Sequence, residues 1–173
     1  MSKAFTKESD LEKEEPQRSP RPSVPAGVTN YITAAGAKRL ADELTRLSQR
    51  KQELRTAATP AARSEMGDID YRRKQVQEIL SSTVVAKPPA KGREKVRFGA
   101  TVVVNRGNGE RKTYQIVGVD EAEPEEGCIS WLSPLAQQLM LRKAGDQISF
   151  SSPEGVESMQ ILSVAYDDPS VNR

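Results

Sequence analysis

Residues 33–83 read TAAGAKRLADELTRLSQRKQELRTAATPAARSEMGDIDYRRKQVQEILSST, and this stretch decides the fold. Thr33 is a favourable helix cap in front of a run of alanines. After it, apolar residues recur at alternating spacings of four and three, with one polar interruption at Lys51; they are Leu40, Leu44, Leu47, Leu54 and Ala58. This heptad pattern predicts a helix from about Ala34 to Ala58, about 37 Å long, which Pro60 brings to an end.

The heptad pattern returns beyond the proline. The residues of this pattern are spaced by seven, four and three positions; they are Ile69, Val76, Leu80 and Thr83. Ile79 is an apolar neighbour of the pattern. They predict a second helix from about Glu65 to Val84, about 30 Å long. Two such helices joined by a short proline-containing turn are typical of an antiparallel helical hairpin. Because neither helix has a broad apolar face, we expect the hairpin to project into solvent or into a partner.

Strand-like patterning replaces the helical period in the second half of the chain. Asn108-Gly109 is a hairpin turn signal, and Ser133-Pro134 is a helix start. We therefore predict an α+β protein, with an N-terminal antiparallel coiled-coil hairpin followed by a small antiparallel sheet and one packed helix. The predicted divisions are a disordered tail over 1–28, the hairpin over 29–86, a linker over 87–95, the sheet domain over 96–168 and a tail over 169–173.

The composition excludes several classes of function. There are 26 basic and 24 acidic residues, so the chain is not a simple polycation for nucleic acid. With no histidine and a lone Cys128, zinc fingers, cysteine–histidine pairs and an internal disulfide are excluded. No apolar run is long enough for a membrane helix, and the N-terminus has no apolar signal core. We expect a soluble cytoplasmic protein that uses Asp and Glu as its acids or metal ligands.

Three acidic residues stand near the predicted start of the second helix: Glu65, Asp68 and Asp70. One interpretation is structural, because acids favour helix N-termini and Ser64 can cap one. The other is functional, because Glu65 and Asp68 are three positions apart, lie on one face of a helix and can share a hard cation such as Mg²⁺. Two carboxylates do not complete a coordination shell, so a partner would supply the remaining ligands.

Short motifs run through both halves of the chain. They are Tyr31-Ile32-Thr33, Gly36 and Leu40; Ser64-Glu65, Asp68, Tyr71, Lys74 and Glu78-Ile79; Phe98-Gly99-Ala100, Ile116-Val117-Gly118, Ile129-Ser130, Ser133-Pro134, Ala136, Gly145-Asp146 and Pro153-Glu154-Gly155. Taken together over residues 28–167, these motifs resemble the bacterial Gre transcript cleavage factors, GreB more than GreA. The resemblance implies a coiled-coil hairpin followed by an FKBP-like C-terminal domain.

The resemblance also implies a function. Factors of this family bind RNA polymerase through its secondary channel and promote rescue of backtracked complexes by transcript cleavage. Tip carboxylates, here Glu65 with Asp68 beside it, would help to hold a second Mg²⁺ that the polymerase mainly binds. The chain would be a monomeric accessory factor and not an enzyme, with no cofactor of its own and no membrane contact. It would meet nascent RNA and DNA only within the elongation complex.

Two surfaces are implied to contact the polymerase or its RNA. In the sheet domain, Ser133, Pro134 and Leu135 match the polymerase-contacting segment of the family. Their other interpretation is a helix cap followed by a core residue. On the hairpin a basic patch is expected to face RNA or the channel, because the first arm lacks matching acids; it comprises Arg46, Arg50, Lys51 and Arg55.

The sequence departs from the family at the tip. The family pattern is Asp, any residue, Ser, Glu, Asn, whereas this chain reads Ala62-Arg63-Ser64-Glu65-Met66. Both arms are also shorter. An alternative function is therefore a cleavage-deficient regulator that occupies the secondary channel and inhibits or competes with true cleavage factors. A third possibility is a prolyl isomerase, which would need clustered aromatic residues from the set Phe98, Tyr114, Trp131, Phe150 and Tyr166.

Overall fold

A computed structural model of the protein describes residues 24–57, 59–152 and 155–167. Within these ranges, the first helix, α1, spans Ala34–Leu54 and the second, α2, spans Pro60–Ser82. Four parts of the sequence-based prediction lie outside the described residues. They are most of the predicted disordered tail, Ala58 at the end of the first heptad pattern, the Pro153-Glu154 turn and the C-terminal tail.

The two helices form the predicted hairpin, with different limits at the tip. The side chain of Thr33 caps α1 by accepting from the Gly36 amide at 2.9 Å, as expected. Helix α1 ends at Leu54, before the proline, and Pro60 begins α2. Thr59 caps α2 by accepting from the Ala62 amide at 3.1 Å, so Ser64 is not the cap. The reason is that proline needs no amide partner at the first helical position.

A short parallel ladder closes the base of the hairpin. Strand β1, Tyr31–Thr33, precedes α1, and strand β2, Val84–Ala86, follows α2. Tyr31 pairs with Val84 and Thr33 with Ala86. The tip therefore lies at the far end of the hairpin from β1 and β2, about 31 Å away along the 21 residues of α1.

The second half forms a curled five-stranded sheet with one helix. Its elements are β3 (Ala100–Arg106), β4 (Arg111–Val117), β5 (Cys128–Ser130), α3 (Pro134–Leu139), β6 (Gln147–Ser152) and β7 (Gly155–Tyr166). The strand order is β5-β4-β3-β7-β6. The sheet is mixed rather than wholly antiparallel, because the chain turns twice through 3-10 helices after β4 and brings β5 in parallel to it.

The main core lies between one face of this sheet and α3. Alternate residues of β3, Val102 and Val104, are fully buried, together with Ile116 of β4 and Ile161 of β7. Leu139 of α3 closes the core from the other side. The hairpin has two smaller apolar clusters of its own, one at its base and one at its tip. In the part of the chain that the structure describes, no helix is long and apolar enough to cross a membrane.

Candidate functional site at the hairpin tip

A small apolar cluster holds the two helices together at the tip. Leu54, Ala62 and Ile69 are buried in it, with Leu47 and Met66 packed alongside. Ala62, at the position of the first acid in the family pattern, is only 5% exposed. A carboxylate at this position would have to be buried against leucine and isoleucine, at a high desolvation cost. The departure from the family pattern is therefore part of the hairpin packing.

Glu65 reaches across the hairpin to Arg50 of α1. The Arg50 Nε donates to Glu65 Oε1 at 2.7 Å and a terminal nitrogen donates to Oε2 at 3.2 Å, which is the two-bonded geometry that strengthens an arginine–carboxylate pair. A further nitrogen of Arg50 lies 3.2 Å from Glu53. The hydrogen bond from Arg50 holds the pKa of the Glu65 carboxyl below its ordinary value. Glu65 is thus ionised and already paired.

Two further ion pairs link the arms along their exposed faces. Lys51 Nζ lies 2.5 Å from Asp70 Oδ1, and Arg72 Nε lies 2.6 Å from Glu43 Oε1. The hydrogen bond from Lys51 lowers the pKa of Asp70. The expectation that these basic residues lack matching acids is wrong for Arg50 and Lys51. Arg50 pairs with Glu53 of the first arm and Glu65 of the second, and Lys51 pairs with Asp70 of the second. Sequence spacing within one helix does not reveal a partner on the other helix.

The other members of the predicted basic patch differ from these two. Arg46 and Arg55 are exposed. The Arg55 guanidinium lies 3.5 Å from Gln52 Oε1, at the limit of a hydrogen bond. Arg50 and Lys51 thus differ from Arg46 and Arg55 in being paired with carboxylates of the hairpin.

The hairpin tip supplies only some of the ligands that a metal ion needs. Glu65 and Asp68 offer carboxylate oxygens, the donors that Mg²⁺ prefers. Across residues 24–57, 59–152 and 155–167, no group of three or more Asp, Glu, Cys or His side chains is arranged to hold a metal ion. These residues therefore fit a cation only as a minority of its ligands, and Glu65 would first have to exchange Arg50 for the metal.

The predicted contact segment of the sheet domain begins α3. Ser133 caps the helix by accepting from the Ala136 amide at 3.2 Å, and Pro134 is exposed at the first helical position. Leu135 is 9% exposed and belongs to the main core. Ser133 is thus a helix cap and Leu135 a core residue, and contact of this segment with the polymerase stays a prediction.

The joint between hairpin and sheet contains a buried carboxylate that the sequence did not indicate as important. Glu121 Oε2 accepts from the amides of Thr33 at 2.8 Å and Gly118 at 3.0 Å, and Oε1 accepts from the Thr33 hydroxyl. A Cβ on Gly36 would lie 1.8 Å from Glu121 Oε1. The sequence signal that could have located this joint is Gly36 itself, a glycine in a helical turn where alanine is intrinsically better.

The aromatic residues serve packing. The Tyr31 ring lies 5.8 Å from that of Phe98 and 6.0 Å from that of Trp131, at the joint. Tyr114 is buried in the main core, with Phe150 and Tyr166 packed against it. All five aromatic residues that were considered for an isomerase pocket therefore pack at the joint or in the core. This packing does not favour the isomerase interpretation.

We expect the pairing between the arms to weaken in acid. The pKa values of Glu65 and Asp70 lie below their ordinary values of 4.5 and 3.8, so the unfolded chain binds more protons. The stabilisation is present above those ordinary values and is lost as the pH falls through the folded pKa values. Both pairs are exposed, so the effect is small. Carboxyl resonances followed by NMR titration would measure it. Arg50→Gln should move the Glu65 midpoint upward and leave the Asp70 midpoint in place, and an ordinary midpoint for Glu65 in the unaltered protein would contradict the expectation.

Comparisons with known proteins identify the family of the chain. Residues 90–166 match the family model described as transcription elongation factor, GreA/GreB, C-terminal. The chain is 39% identical over 153 residues to transcription elongation factor GreB of Neisseria meningitidis serogroup A, which covers 79% of this chain and 94% of the relative. It is 34% identical over 150 residues to GreA of Desulfovibrio desulfuricans, covering 78% and 93%.

Among solved structures, a GreA/GreB elongation factor from Nitrosomonas europaea covers 80% of this chain and 99% of that one, at 21% identity and a TM-score of 0.41. The sequence relationships define the class as an accessory factor of transcription elongation, not itself an enzyme. The chain belongs to the GreA/GreB family of transcription elongation factors.

Proposed function

We propose that the chain binds RNA polymerase with its helical hairpin inserted into the secondary channel and promotes rescue of backtracked complexes by transcript cleavage. The observation that carries the proposal is a single sequence relationship that spans hairpin and sheet together, 39% identity over 94% of a GreB. The geometry agrees with it. The hairpin tip stands about 31 Å from the joint, by the rise of a helix, so it can enter a channel while the sheet domain stays outside.

In this proposal Glu65 and Asp68 add oxygen ligands to a Mg²⁺ that the polymerase mainly holds, which supports attack of water on the RNA phosphodiester. The polymerase performs the hydrolysis. Pro134 and the cap of α3 provide contacts from the sheet domain, and Arg46 and Arg55 provide positive charge on the hairpin. Arg50 has to release Glu65 for this step, and an exposed pair of this kind is weak enough to exchange.

A second candidate is favoured by one specific observation at the tip. The position of the first acid is the buried Ala62, and the remaining Glu65 is bound to Arg50. A hairpin with this tip would enter the channel but would not stimulate cleavage. It would instead slow nucleotide addition or compete with a cleavage factor.

The test uses stalled, backtracked elongation complexes with labelled RNA. We expect the unaltered protein to shorten the transcript and Glu65→Ala to reduce the rate by at least about tenfold, as for loss of a group that acts on the transition state. Glu53→Ala is the matched control, because Glu53 is also an exposed carboxylate paired with Arg50. Equal loss in both variants would assign the effect to Arg50 and not to a metal ligand.

Three other outcomes separate the candidates. If no variant shortens the transcript but the protein slows nucleotide addition, the second candidate is correct. If the protein shortens the transcript and Glu65→Ala is as active as the unaltered protein, cleavage does not depend on Glu65. If the protein neither shortens the transcript nor affects synthesis in any polymerase complex, both candidates fail.

A further inference from the structure

A basic surface lies where two short segments of the sheet domain run side by side. Lys95 and Lys143 are opposite each other in an antiparallel bridge. The Val96 amide donates to the Arg142 carbonyl at 2.7 Å, and the Leu141 amide donates to the Val96 carbonyl at 2.8 Å. Four exposed basic residues of these segments form what we call the basic surface: Lys95, Arg97, Arg142 and Lys143.

The charges of the basic surface are only partly balanced by the folded chain. None of its four side chains forms an ion pair with a carboxylate within residues 24–57, 59–152 and 155–167. Two acids lie close in the sequence: Glu94 is exposed, and Asp146 Oδ2 accepts from the Lys143 amide at 3.0 Å. Like charges directly opposite each other destabilise a strand pair. An anionic group placed against the basic surface would remove this repulsion.

An exposed leucine stands beside the basic surface in a strained backbone conformation. Leu141 is 65% exposed and has a φ of 66°, in the left-handed region. Among the residues that the structure describes, it is the single non-glycine residue with a positive φ. Leucine is disfavoured in this conformation, whereas glycine adopts it without strain. Because strained residues cluster where proteins bind ligands, we expect a partner that combines negative charge with an apolar side chain.

The chain itself contains a segment with that chemistry. Residues 8–15 read ESDLEKEE, with five acids and one lysine around Leu11. This acidic segment lies outside the described residues. Its net charge is therefore opposite to that of the basic surface, and its one large apolar residue matches the exposed Leu141.

The chain enters the fold beside the basic surface. The Tyr31 ring lies 5.8 Å from that of Phe98, and Phe98 directly follows Arg97. Glu15, the last residue of the acidic segment, is sixteen positions before Tyr31, with four prolines between them. A proline-rich stretch of this length spans up to about 50 Å when extended. A domain of about 70 residues is only about 30 Å across, so the acidic segment can reach the basic surface.

We infer that the acidic segment docks on the basic surface of the same chain, with Leu11 against Leu141. Exposed ion pairs are individually weak and screened by salt, so the contact is reversible and weakens at high ionic strength. The tether compensates for this weakness, because it keeps the acidic segment at a high effective concentration. The inference goes beyond the proposed function, since the contact forms in the free protein and involves no polymerase.

The test is paramagnetic relaxation in the full-length protein. A nitroxide is attached through Ser9→Cys in a Cys128→Ser background, and the amide NMR signals of the isotope-labelled chain are recorded. We expect the signals of residues 141–143 to be broadened more than those of Asn108 and Gly109. These two residues lie beyond the opposite end of the seven-residue strand β3, about 20 Å away by the rise of a strand.

Variants of the basic surface test the charges and the leucine separately. Arg142→Gln, Lys143→Gln should lower the ratio of docked to undocked chain about tenfold, as for loss of two exposed charge pairs. The matched control is Lys38→Gln, Arg46→Gln, two exposed basic residues of α1, which should leave the ratio unchanged. Leu141→Gly should also weaken docking, without lowering the urea unfolding midpoint, because glycine adopts the positive φ without strain.

Three results would overturn the inference. One is broadening of residues 141–143 no greater than that of Asn108 and Gly109, and another is broadening that Arg142→Gln, Lys143→Gln leaves unchanged. The third comes from a mixture in which one chain carries the nitroxide and another carries the isotope label. If residues 141–143 are broadened in that mixture, the acidic segment comes from a second copy and not from the same chain.

Discussion

Glu121→Ala should lower the free energy of unfolding by about 3 kcal/mol, because it leaves buried hydrogen-bond donors without an acceptor. The Glu121 side chain is 2% exposed and accepts from two amides and one hydroxyl. Arg39 lies 3.8 Å away and is itself 58% exposed, so the backbone amides are its main partners. Loss of the carboxylate should loosen the start of α1, since Thr33 both caps that helix and ends β1.

Urea unfolding measures this loss, with two probes on the two sides of the joint. Helical circular dichroism reports the hairpin. The fluorescence of Trp131, the single tryptophan, reports the contact with Tyr31. Glu125→Ala is the control, since Glu125 is an exposed acid four residues later. An unfolding midpoint for Glu121→Ala equal to that of Glu125→Ala would show that the buried carboxylate adds nothing to stability.

Gly36→Ala should destabilise the protein by about 2 kcal/mol, although the same change usually stabilises a helix by about 0.5–1 kcal/mol. The added Cβ would lie 1.8 Å from Glu121 Oε1 and 2.3 Å from its carboxyl carbon, so the carboxylate would have to leave Thr33. Gly67→Ala is the matched control. Gly67 is also within a helix, and a Cβ added there would meet no atom within 4 Å. That variant should be stabilised, which gives the two substitutions opposite signs.

A double variant shows whether the contact with Glu121 is the cause. In a Glu121→Ala background the clash is absent, so Gly36→Ala should then cost little or stabilise the protein. If Gly36→Ala is equally destabilising in both backgrounds, the cost arises within the helix and not at the joint. Chemical unfolding of the four proteins completes the cycle.

The candidate site was only partly predictable from the sequence. The pattern located Glu65 near the hairpin tip and showed that Ala62 replaces an acid. It did not show that Ala62 is buried, because it predicted a start of α2 near Glu65 with Ser64 as a possible cap. In the structure Thr59 is the cap, five residues earlier, so Ala62 lies within the helix. Only part of the predicted basic patch is paired with acids on the opposite arm. Arg50 and Lys51 form such ion pairs across the hairpin. Such pairs depend on the register between the helices, which the heptad spacing does not specify.

The sequence by itself determined the α+β class, the hairpin and the helix start at Ser133-Pro134, because heptad spacing, strand alternation and capping residues act over a few neighbouring positions. Only the tertiary structure decided how the hairpin is joined to the sheet and which tip charges remain exposed. Thr33 and Glu121 are 88 residues apart, and Arg50 and Glu65 are 15 apart on opposite helices. Contacts over such separations form when packing brings two elements together, and no local pattern in the chain records them.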